Sequence, residues 1–506
     1  MRSWSARHVT GGTIRPAVGS NHAKLRSHLN DQPGMKNLLL VTLLLFTAHS
    51  LLAQQRQPTS VAIVHVTVID MTGATPKRDM TVLISGDRIT AISRHLRIPR
   101  HAEVINGAGR FLIPGLWDMH VHFTEVETNF PLFVANGVTG VRNMGGELDD
   151  LRRWRAAVAA GLLIGPRVVT CGPIVDGPQP AAHGPVIVVS SVTEAKETVA
   201  MLKKRGADCV KVYDRLSRDV YFAIIDEARK QGLPVVGHVP LSITSVEASD
   251  AGQKSIEHLG SILEGSSTIE PELMERERSS EPVTDPSEFP RRIAARGSRM
   301  LDTYSEEKAS RVFSHFFRNG TWQVPTLEIK WAQTFIDDLN KRSDERLKYV
   351  PESQLQWWRP EKNFFARYRT PEYIVFRKRL WEKELSLVGA MHRAGVPFMT
   401  GTDLSGAYVL PGFGLHHEIE LLVQAGFTPM EALQAATRNP AIFLGELSSL
   451  GTIETGKIAD LILLDDNPLV DIRNTRRIRA VILKGRYLSR NDLDQLLAKA
   501  EAAAKK

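Results

Sequence analysis

The central part of the chain alternates short apolar runs with amphipathic stretches, and this alternation constrains the fold more than any other feature of the 506 residues. Eight runs are typical of buried parallel strands. They span residues 117–123, 137–143, 167–171, 209–213, 234–239, 255–259, 321–327 and 397–403. Between them lie helical stretches such as 149–160, 193–204 and 218–230, and Ser191-x-x-Glu194 and Thr428-Pro-Met-Glu431 predict helix starts. Eight such units in series predict an α/β fold with a (β/α)8 TIM-like barrel.

Both ends of the chain have a different character, because short alternating strands and turn signals dominate there. We expect residues 54–112 and 447–490 to build one small β-sandwich, with the barrel, 113–446, inserted between its halves. Charged and aromatic stretches at about 264–320 and 328–395 predict helical insertions at the mouth of the barrel. The tail, 491–506, predicts a helix whose Ala- and Lys-rich end frays.

Residues 35–53 have the pattern of a secretory signal peptide. Lys36 precedes the apolar run 38–46, and Ala53 lies at the expected cleavage position. The run is too short to span a bilayer, and no cysteine lies nearby to carry a lipid. We therefore expect a secreted or periplasmic protein without a stable membrane anchor. Residues 1–34 are expected to be an upstream extension that the natural product lacks.

The formal net charge of +8 does not indicate a nucleic-acid partner. Residues 1–53 contain six lysines and arginines but one acid, which leaves a net charge of only +3 for the rest of the chain. Acids interleaved with the basic and aromatic residues of the insertions favour solvated helices over a nucleic-acid surface. A small molecule is the expected partner, and the sequence leaves open whether the chain forms a homo-oligomer.

Cys171 and Cys209 are the only cysteines in the chain. Each lies in an apolar, strand-like run, which favours two buried thiols, whereas an oxidising compartment would allow a disulfide. Neither has neighbours that indicate a catalytic nucleophile. The sequence leaves both oxidation states open.

His120 and His122 occupy alternate positions of the first predicted strand. Side chains two residues apart on a strand point to the same face, so both imidazoles share one target, as a divalent metal requires. Histidine pairs on strands also occur where they only satisfy local hydrogen bonds. Further candidate ligands follow at the ends of later apolar runs: Lys211, His238, His258 and Asp403. In a barrel these ends meet at one face, so the six side chains are expected to converge.

Lys211 is the unusual member of this set. It lies inside the apolar run Cys209-Val-Lys-Val-Tyr213, where an unpaired ammonium group would cost several kcal/mol. Carboxylation by carbon dioxide removes this conflict, because the resulting carbamate offers two oxygens that can bridge two cations. A lysine whose amine pairs with a neighbouring acid is the alternative, as core histidines with satisfied rings are for His238 and His258.

The six residues, in this order, resemble the ligand set of the amidohydrolase superfamily. More narrowly, they resemble its binuclear branch, which contains bacterial Xaa-Pro dipeptidases and imidazolonepropionase-related hydrolases. The resemblance covers about residues 58–488 and includes Ile113-Pro-Gly-Leu-Trp-Asp-Met-His-Val-His122, Gly137-Val-Thr-Gly-Val-Arg142, Lys211-Val-Tyr213 and Gly456-Lys-Ile-Ala-Asp-Leu461. Asn143, where such relatives commonly have an acid, and Gly140, where they commonly have Thr, depart from the pattern.

The resemblance implies two divalent metal ions, with zinc as the expected metal. His120, His122 and Asp403 would hold one ion, His238 and His258 the other, and the carbamate of Lys211 would bridge them. A hydroxide shared by the two ions would attack the scissile carbonyl, and Asp403 would accept its proton and deliver it to the leaving amine. The expected substrate contacts are Tyr213 and His416.

We therefore predict a metal-dependent amidohydrolase that cleaves amide (C–N) bonds of small substrates, such as Xaa-Pro dipeptides or N-acyl amino acids. One alternative is a mononuclear-type deaminase or imidazolone hydrolase on the same barrel, which has no need of a bridging Lys211. The other is a catalytically inactive binding protein, in which Lys211 and Asp403 would have been free to change.

Overall fold

The computed structural model describes residues 60–279, 285, 287–337, 343–404 and 406–506. They belong to one unit, Pro58–Lys506. The predicted signal peptide and the upstream extension lie outside these residues. Within the described ranges, no helix combines the length and apolar character that a bilayer crossing requires.

Nine parallel strands carry the central region. The first three form one sheet: β6 (Leu116–Val121), β7 (Val138–Asn143) and β8 (Arg167–Thr170). The other six pair in the order β10-β9-β11-β12-β13-β14, and they are β9 (Ile174–Asp176), β10 (Val186–Val188), β11 (Val210–Val212), β12 (Val235–Gly237), β13 (Ser255–Glu257) and β14 (Trp322–Val324). Every residue of β6, β7 and β11 to β14 is buried, as expected for parallel strands that are covered on both faces.

Backbone hydrogen bonds connect these two sheets at both sides. The amide of Asp208, just before β11, donates to the carbonyl of Thr170 in β8 at 2.8 Å. On the other side, Met119 in β6 donates to Thr400 at 2.9 Å, and Phe398 forms a parallel bridge with Gln323 in β14. The segment 397–403 therefore lies between β14 and β6, where the eighth strand was predicted.

This segment is not the regular strand that its apolar sequence predicts. Phe398 and Leu404 make only isolated bridges, and Asp403 has a φ of 57°. A positive φ interrupts the extended conformation, so the ladder stops at this residue. The prediction of a strand over 397–403 was wrong in this respect, although the segment keeps the position of a strand.

Helices follow most of the central strands and pack against them. They are Val126–Ala135, Leu148–Ala159, Val192–Lys204, Arg218–Gln231 and Ser245–Ala251. The capping box predicted at Thr428 and Glu431 is present with both reciprocal hydrogen bonds. Only half of the one predicted at Ser191 forms, because the carboxylate of Glu194 accepts from Ser190 instead.

The two predicted insertions are helical. The first contains Ile262–Gly265, Glu270–Ser279, Phe289–Asp302 and Glu306–Asn319. The second contains Leu327–Thr334, Glu352–Trp358, Phe364–Arg367 and Pro371–Arg393, with a 3-10 turn at Glu345–Tyr349. Three helices, Phe413–Gln424, Pro429–Ala435 and Arg438–Phe443, then lead to the final strands.

An eight-stranded sheet takes its strands from both ends of the described chain. Its members are β1 (Ser60–Val68), β2 (Lys77–Ser85), β3 (Arg88–Ser93), β4 (Glu103–Asn106), β5 (Phe111–Pro114), β15 (Leu461–Leu464), β16 (Ile478–Leu483) and β17 (Arg486–Ser489). The order is β17-β16-β15-β5-β1-β2-β3, and β4 pairs with β1. A 3-10 turn, Ile472–Arg476, connects β15 to β16. β5 and β15 pair antiparallel, so residues 347 to 353 positions apart in sequence become neighbours.

The C-terminal helix, Arg490–Ala504, is docked rather than frayed. Ser489 and Asp492 form a complete capping box at its start. Leu493, Leu496 and Ala500 are buried, and Ala500 packs in a cluster with Leu132 of the helix Val126–Ala135. The prediction that the end of this helix frays was therefore wrong, because spaced apolar residues give it a buried face.

Candidate metal centre

Three of the predicted ligands form a compact group at the end of β6. Nε2 of His120 and Nε2 of His122 each lie 3.5 Å from Oδ1 of Asp403. Two ligands bound at about 2.1 Å to one tetrahedral cation lie about 3.4 Å apart. The spacing is longer than a good hydrogen bond and matches that of ligands around a cation.

All four imidazoles use one side of the ring for a protein contact. Nδ1 of His120 lies 2.8 Å from Oε2 of Glu257, and Nδ1 of His238 lies 2.7 Å from Oδ1 of Asp214. Nδ1 of His258 lies 2.8 Å from Oγ1 of Thr326, and the ring of His122 pairs with the backbone of Gly145. These partners place the ring proton on Nδ1 and leave Nε2 as a lone-pair donor.

The carboxylate behind His120 is itself held by a buried arginine. Oε1 of Glu257 accepts from Nη2 of Arg142 at 2.9 Å and from Oγ of Ser255 at 2.5 Å. Arg142 also donates to the carbonyl of Met119 at 2.7 Å. The side chains of His120, Glu257 and Arg142 are fully buried, so this network fixes the orientation of His120 before any ligand binds.

Burial also keeps the rings of His120, His122 and His258 neutral. It lowers the pKa of His122 to about 3, with a further contribution from the charge of Lys211, and it lowers the pKa of His120 and of His258 well below the ordinary value. Neutral imidazole is the form that binds metals.

Lys211, in the middle of β11, is completely buried. Its Nζ has no hydrogen-bond partner among the described residues, and neither has Nε2 of His120. Burial lowers the pKa of the Lys211 amine to about 8. Gly237 of the neighbouring strand β12 makes room for the lysine stem, since a Cβ there would lie 2.8 Å from Cδ of Lys211. A buried amine without a hydrogen-bond partner is uncommon, and it indicates a role other than packing.

Asp403 is aimed at the histidines by its unusual backbone. Its φ of 57° turns the residue out of the extended segment, and its amide donates to the carbonyl of His120 at 2.8 Å. Asp118 supports the same turn by accepting from the amide and the hydroxyl of Thr402 at 3.0 and 2.7 Å. Burial raises the pKa of Asp403, which favours a carboxylate that can take up a proton.

A cavity of about 920 Å³ opens directly onto this cluster. Its wall includes five of the six predicted ligands: His122, Lys211, His238, His258 and Asp403. His120 lies fully buried behind them. Tyr213 also lines the cavity and stacks on His238, with 3.8 Å between the ring centroids.

His416 is not brought to this cavity. Its Nδ1 lies 3.0 Å from Oγ1 of Thr475, and its Nε2 lies 3.0 Å from the carbonyl of Asn136. Both nitrogens are thus engaged in a buried structural contact between the helix Phe413–Gln424 and its neighbours. The prediction of a substrate contact for His416 is not supported.

Several residues of the site escaped the sequence-based reasoning. Arg142, Glu257 and Asp118 hold the ligands in place, and Lys330 and Trp357 line the cavity. Glu257 immediately precedes His258, which was a usable signal. Lys330 and Trp357 lie in the second insertion, where no periodicity reveals which side chains reach the cavity.

The two cysteines form a disulfide, Cys171–Cys209. Their Cα atoms lie 4.4 Å apart. Cys171 directly follows β8, and Cys209 directly precedes β11. The structure therefore has the disulfide, and not the two buried thiols that the sequence favoured.

Comparison with known proteins is consistent with this geometry. Residues 111–488 match the model of the amidohydrolase family. This match covers well over half of the chain, and the chain therefore belongs to the amidohydrolase family and is a hydrolase of carbon–nitrogen bonds. The family resemblance derived from the six ligand positions is confirmed.

Individual relatives are distant. Ochratoxinase of Aspergillus niger is 22% identical over 478 residues, covering 80% of this chain and 81% of ochratoxinase. A crystal structure of a candidate prolidase from Bifidobacterium longum has a TM-score of 0.61 at 26% identity and covers 88% of this chain and 99% of that protein. Bottromycin amidohydrolase has the same fold, with a TM-score of 0.69 at 23% identity, covering 89% of this chain and 91% of that enzyme.

Proposed function

We propose that this protein cleaves amide bonds of small substrates, with dipeptides and N-acyl amino acids as the substrate classes, and that two divalent cations assist it. The observation that carries the proposal is the pair of buried nitrogens, His120 Nε2 and Lys211 Nζ, that have no hydrogen-bond partner among the described residues. His120 Nε2 lies 3.5 Å from Oδ1 of Asp403, and Lys211 lines the same cavity as this carboxylate. The similarity to a prolidase candidate and to ochratoxinase supports the reaction class.

The donor set fits a pair of borderline cations such as zinc. His120, His122 and Asp403 would hold one, and His238 and His258 would hold the other. Cations bound there would supply Lewis acidity to the substrate carbonyl and a lowered pKa to water.

Lys211 would serve as the bridge after carboxylation. Its amine nitrogen adds to the carbon of carbon dioxide and loses a proton to solvent, which leaves a carbamate with one negative charge. The change replaces an unpartnered buried amine by an anion that two cations can share. The narrow space beside Gly237 admits the unbranched stem and directs its end to the cluster.

Protein groups would handle the proton and the carbonyl. Asp403, whose pKa is raised by burial, would accept a proton from attacking water and pass it to the leaving nitrogen. Tyr213, held by its stacking on His238, would donate a hydrogen bond to the oxygen that becomes negative. A cavity of about 920 Å³ has room for a dipeptide and surrounds most of it.

The architecture and location belong to the same proposal. The hydrogen bonds that join β8 to β11 and β6 to the segment 397–403 support a closed (β/α)8 barrel, and the sheet shared by both chain ends supports the predicted second domain. Secretion or export to the periplasm is supported by the disulfide Cys171–Cys209, which requires an oxidising compartment.

Metal analysis and a hydrolysis screen test the proposal together. The purified protein should contain about two divalent ions per chain and should cleave members of a dipeptide and N-acyl amino acid library. Asp403→Asn should keep most of the metal but lose at least about 100-fold in turnover, since it cannot carry a proton. A metal content near one would favour the mononuclear alternative, and a near-normal rate in Asp403→Asn would contradict the role of the carboxylate.

A further inference from the structure

A second lysine, Lys330, lines the same cavity as Lys211. The helix Leu327–Thr334 begins three residues after β14 and presents Ile329, Lys330 and Gln333 to the cavity. This helix is also tied to the metal cluster, because Thr326, directly before it, holds the ring of His258. Lys330 is therefore placed by the same element that positions a predicted metal ligand.

The backbone around Lys330 is rigidly mounted. Glu418, fully buried in the helix Phe413–Gln424, accepts from the amide of Glu328 at 2.7 Å. The side chain of Glu328 contacts the same helix, with Oε2 lying 2.5 Å from Nδ1 of His417. The helix Phe413–Gln424 thus fixes the first turn of Leu327–Thr334 through two contacts, which preorganises the side chain that follows.

The Lys330 amine has one counterion and donors to spare. Its Nζ lies 2.6 Å from Oε1 of Glu384, whose side chain is buried in the helix Pro371–Arg393. An ammonium group has three N–H donors, so a single carboxylate oxygen does not exhaust them. The side chain is 14% exposed, and that exposure is toward the cavity wall it forms.

The charges of the cavity leave few places for an anion. Among the described lining residues, only Lys211 and Lys330 have a basic side chain of the Lys or Arg type, and Lys211 is assigned to the metal bridge. The acids of the wall other than Asp403 lie elsewhere on it, in Glu125, Glu147 and Asp150. Lys330 lines this cavity together with His258 and Asp403.

We propose that Lys330 binds the carboxylate of the substrate, and that this enzyme therefore selects amides whose leaving group is an amino acid with a free α-carboxylate. The inference rests on the proposed amide hydrolysis at the Asp403 cluster. An α-carboxylate lies one carbon from the scissile nitrogen, so its anchor must lie close to the cluster rather than at the rim. Glu384 holds the lysine in place while substrate is absent.

Matched substrates test this assignment. N-acetylphenylalanine and N-acetylproline are compared with their carboxamides, which differ only in the charge of the leaving group. The wild-type protein should prefer each free acid by about 10- to 100-fold in kcat/KM, the size of one charge-assisted hydrogen bond. Lys330→Gln should lose that preference, chiefly through a higher KM for the acids, and Lys330→Arg should recover part of it.

A purely structural ion pair is the competing explanation, and a double variant separates the two. Lys330→Gln alone leaves the carboxylate of Glu384 buried without its partner and is expected to be less stable. Lys330→Gln combined with Glu384→Gln removes both charges and keeps the shapes. If the double variant folds and still prefers the free acids, the assignment is wrong. Lys378→Gln, which removes an exposed charge from the same insertion, should behave like the wild-type protein.

Binding without turnover keeps this inference separate from the proposed reaction. Calorimetry measures the affinity of N-acetylphenylalanine and of its carboxamide for the metal-loaded Asp403→Asn protein, which holds substrate without cleaving it. Weaker binding of the acid by about 10-fold or more after Lys330→Gln supports the anchor even if no amide is cleaved. If the Asp403→Asn protein, with Lys330 intact, binds acid and carboxamide equally well, Lys330 is not the carboxylate anchor, whether or not amide hydrolysis is observed.

Discussion

At the scale of single residues, substitution of Lys211 distinguishes a lysine that bridges two metal ions from one that only packs in the core. Lys211→Met keeps the length of the stem but removes the amine, so the variant should hold one divalent ion per chain or fewer and lose hydrolysis. Because the buried amine has no partner among the described residues, the metal-free variant should unfold at the same temperature as the wild-type protein or higher. Metal analysis and thermal unfolding of the stripped proteins measure both effects.

Two results with Lys211→Met would contradict this prediction. Full metal content and full activity in Lys211→Met would remove the bridging role, and a large drop in the stability of the metal-free form would indicate an ion pair instead. Lys378→Met, at an exposed lysine of the second insertion, is the control for a general effect of charge.

Glu257 is the residue expected to prepare His120 for metal. Glu257→Gln removes the negative charge that holds the ring proton of His120 on Nδ1, so the affinity for divalent ions should fall by about 10- to 100-fold. Titration of the metal-free protein with zinc measures this directly. Asp214→Asn should have a similar effect through His238, whereas Asp226→Asn, at an exposed carboxylate, should have none. Unchanged zinc affinity in both Glu257→Gln and Asp214→Asn would contradict the positioning role.

At the scale of elements, the C-terminal helix Arg490–Ala504 is expected to contribute to stability. Leu493 is buried in the main core, so Leu493→Ala should lower the free energy of unfolding by about 2–5 kcal/mol. Gln495→Ala, on the exposed face of the same helix, should change it by less than about 0.5 kcal/mol. Denaturant unfolding compares the two, and equal effects would mean that the helix is loosely attached.

Elements were predictable where their apolar pattern is local. The helices predicted from 149, 193 and 218 onward begin within one residue of those positions, and the apolar runs became the buried strands β6, β7 and β11 to β14. The strands β9 and β10 were missed, because Gly-Pro pairs interrupt the pattern around them: Gly172-Pro173 and Gly177-Pro178 flank β9, and Gly184-Pro185 precedes β10. The strand expected over 397–403 is irregular, because the positive φ of Asp403 turns this residue out of the extended segment and toward the histidines.

At the scale of the whole molecule, the disulfide Cys171–Cys209 joins the first three central strands to the rest. It closes a loop between residues 38 positions apart, which corresponds to about 4 kcal/mol of unfolded-state entropy at 25 °C. Replacing both cysteines by alanine should therefore lower the free energy of unfolding by about 2–4 kcal/mol. Reductant should destabilise the wild-type protein by a similar amount and leave the alanine variant unaffected. A wild-type protein indifferent to reductant would contradict the bond.

The sequence by itself determined the α/β class, the family and the positions of six candidate ligands, because strand periodicity and the order of side chains along the chain are local properties. Only the tertiary structure decided which of those side chains meet and what supports them. Glu257 beside His120, Lys330 in the cavity wall, the joined cysteines and the position of His416 away from the cavity all depend on contacts between distant segments. Such contacts follow from how helices and strands pack, and no single stretch of sequence specifies them.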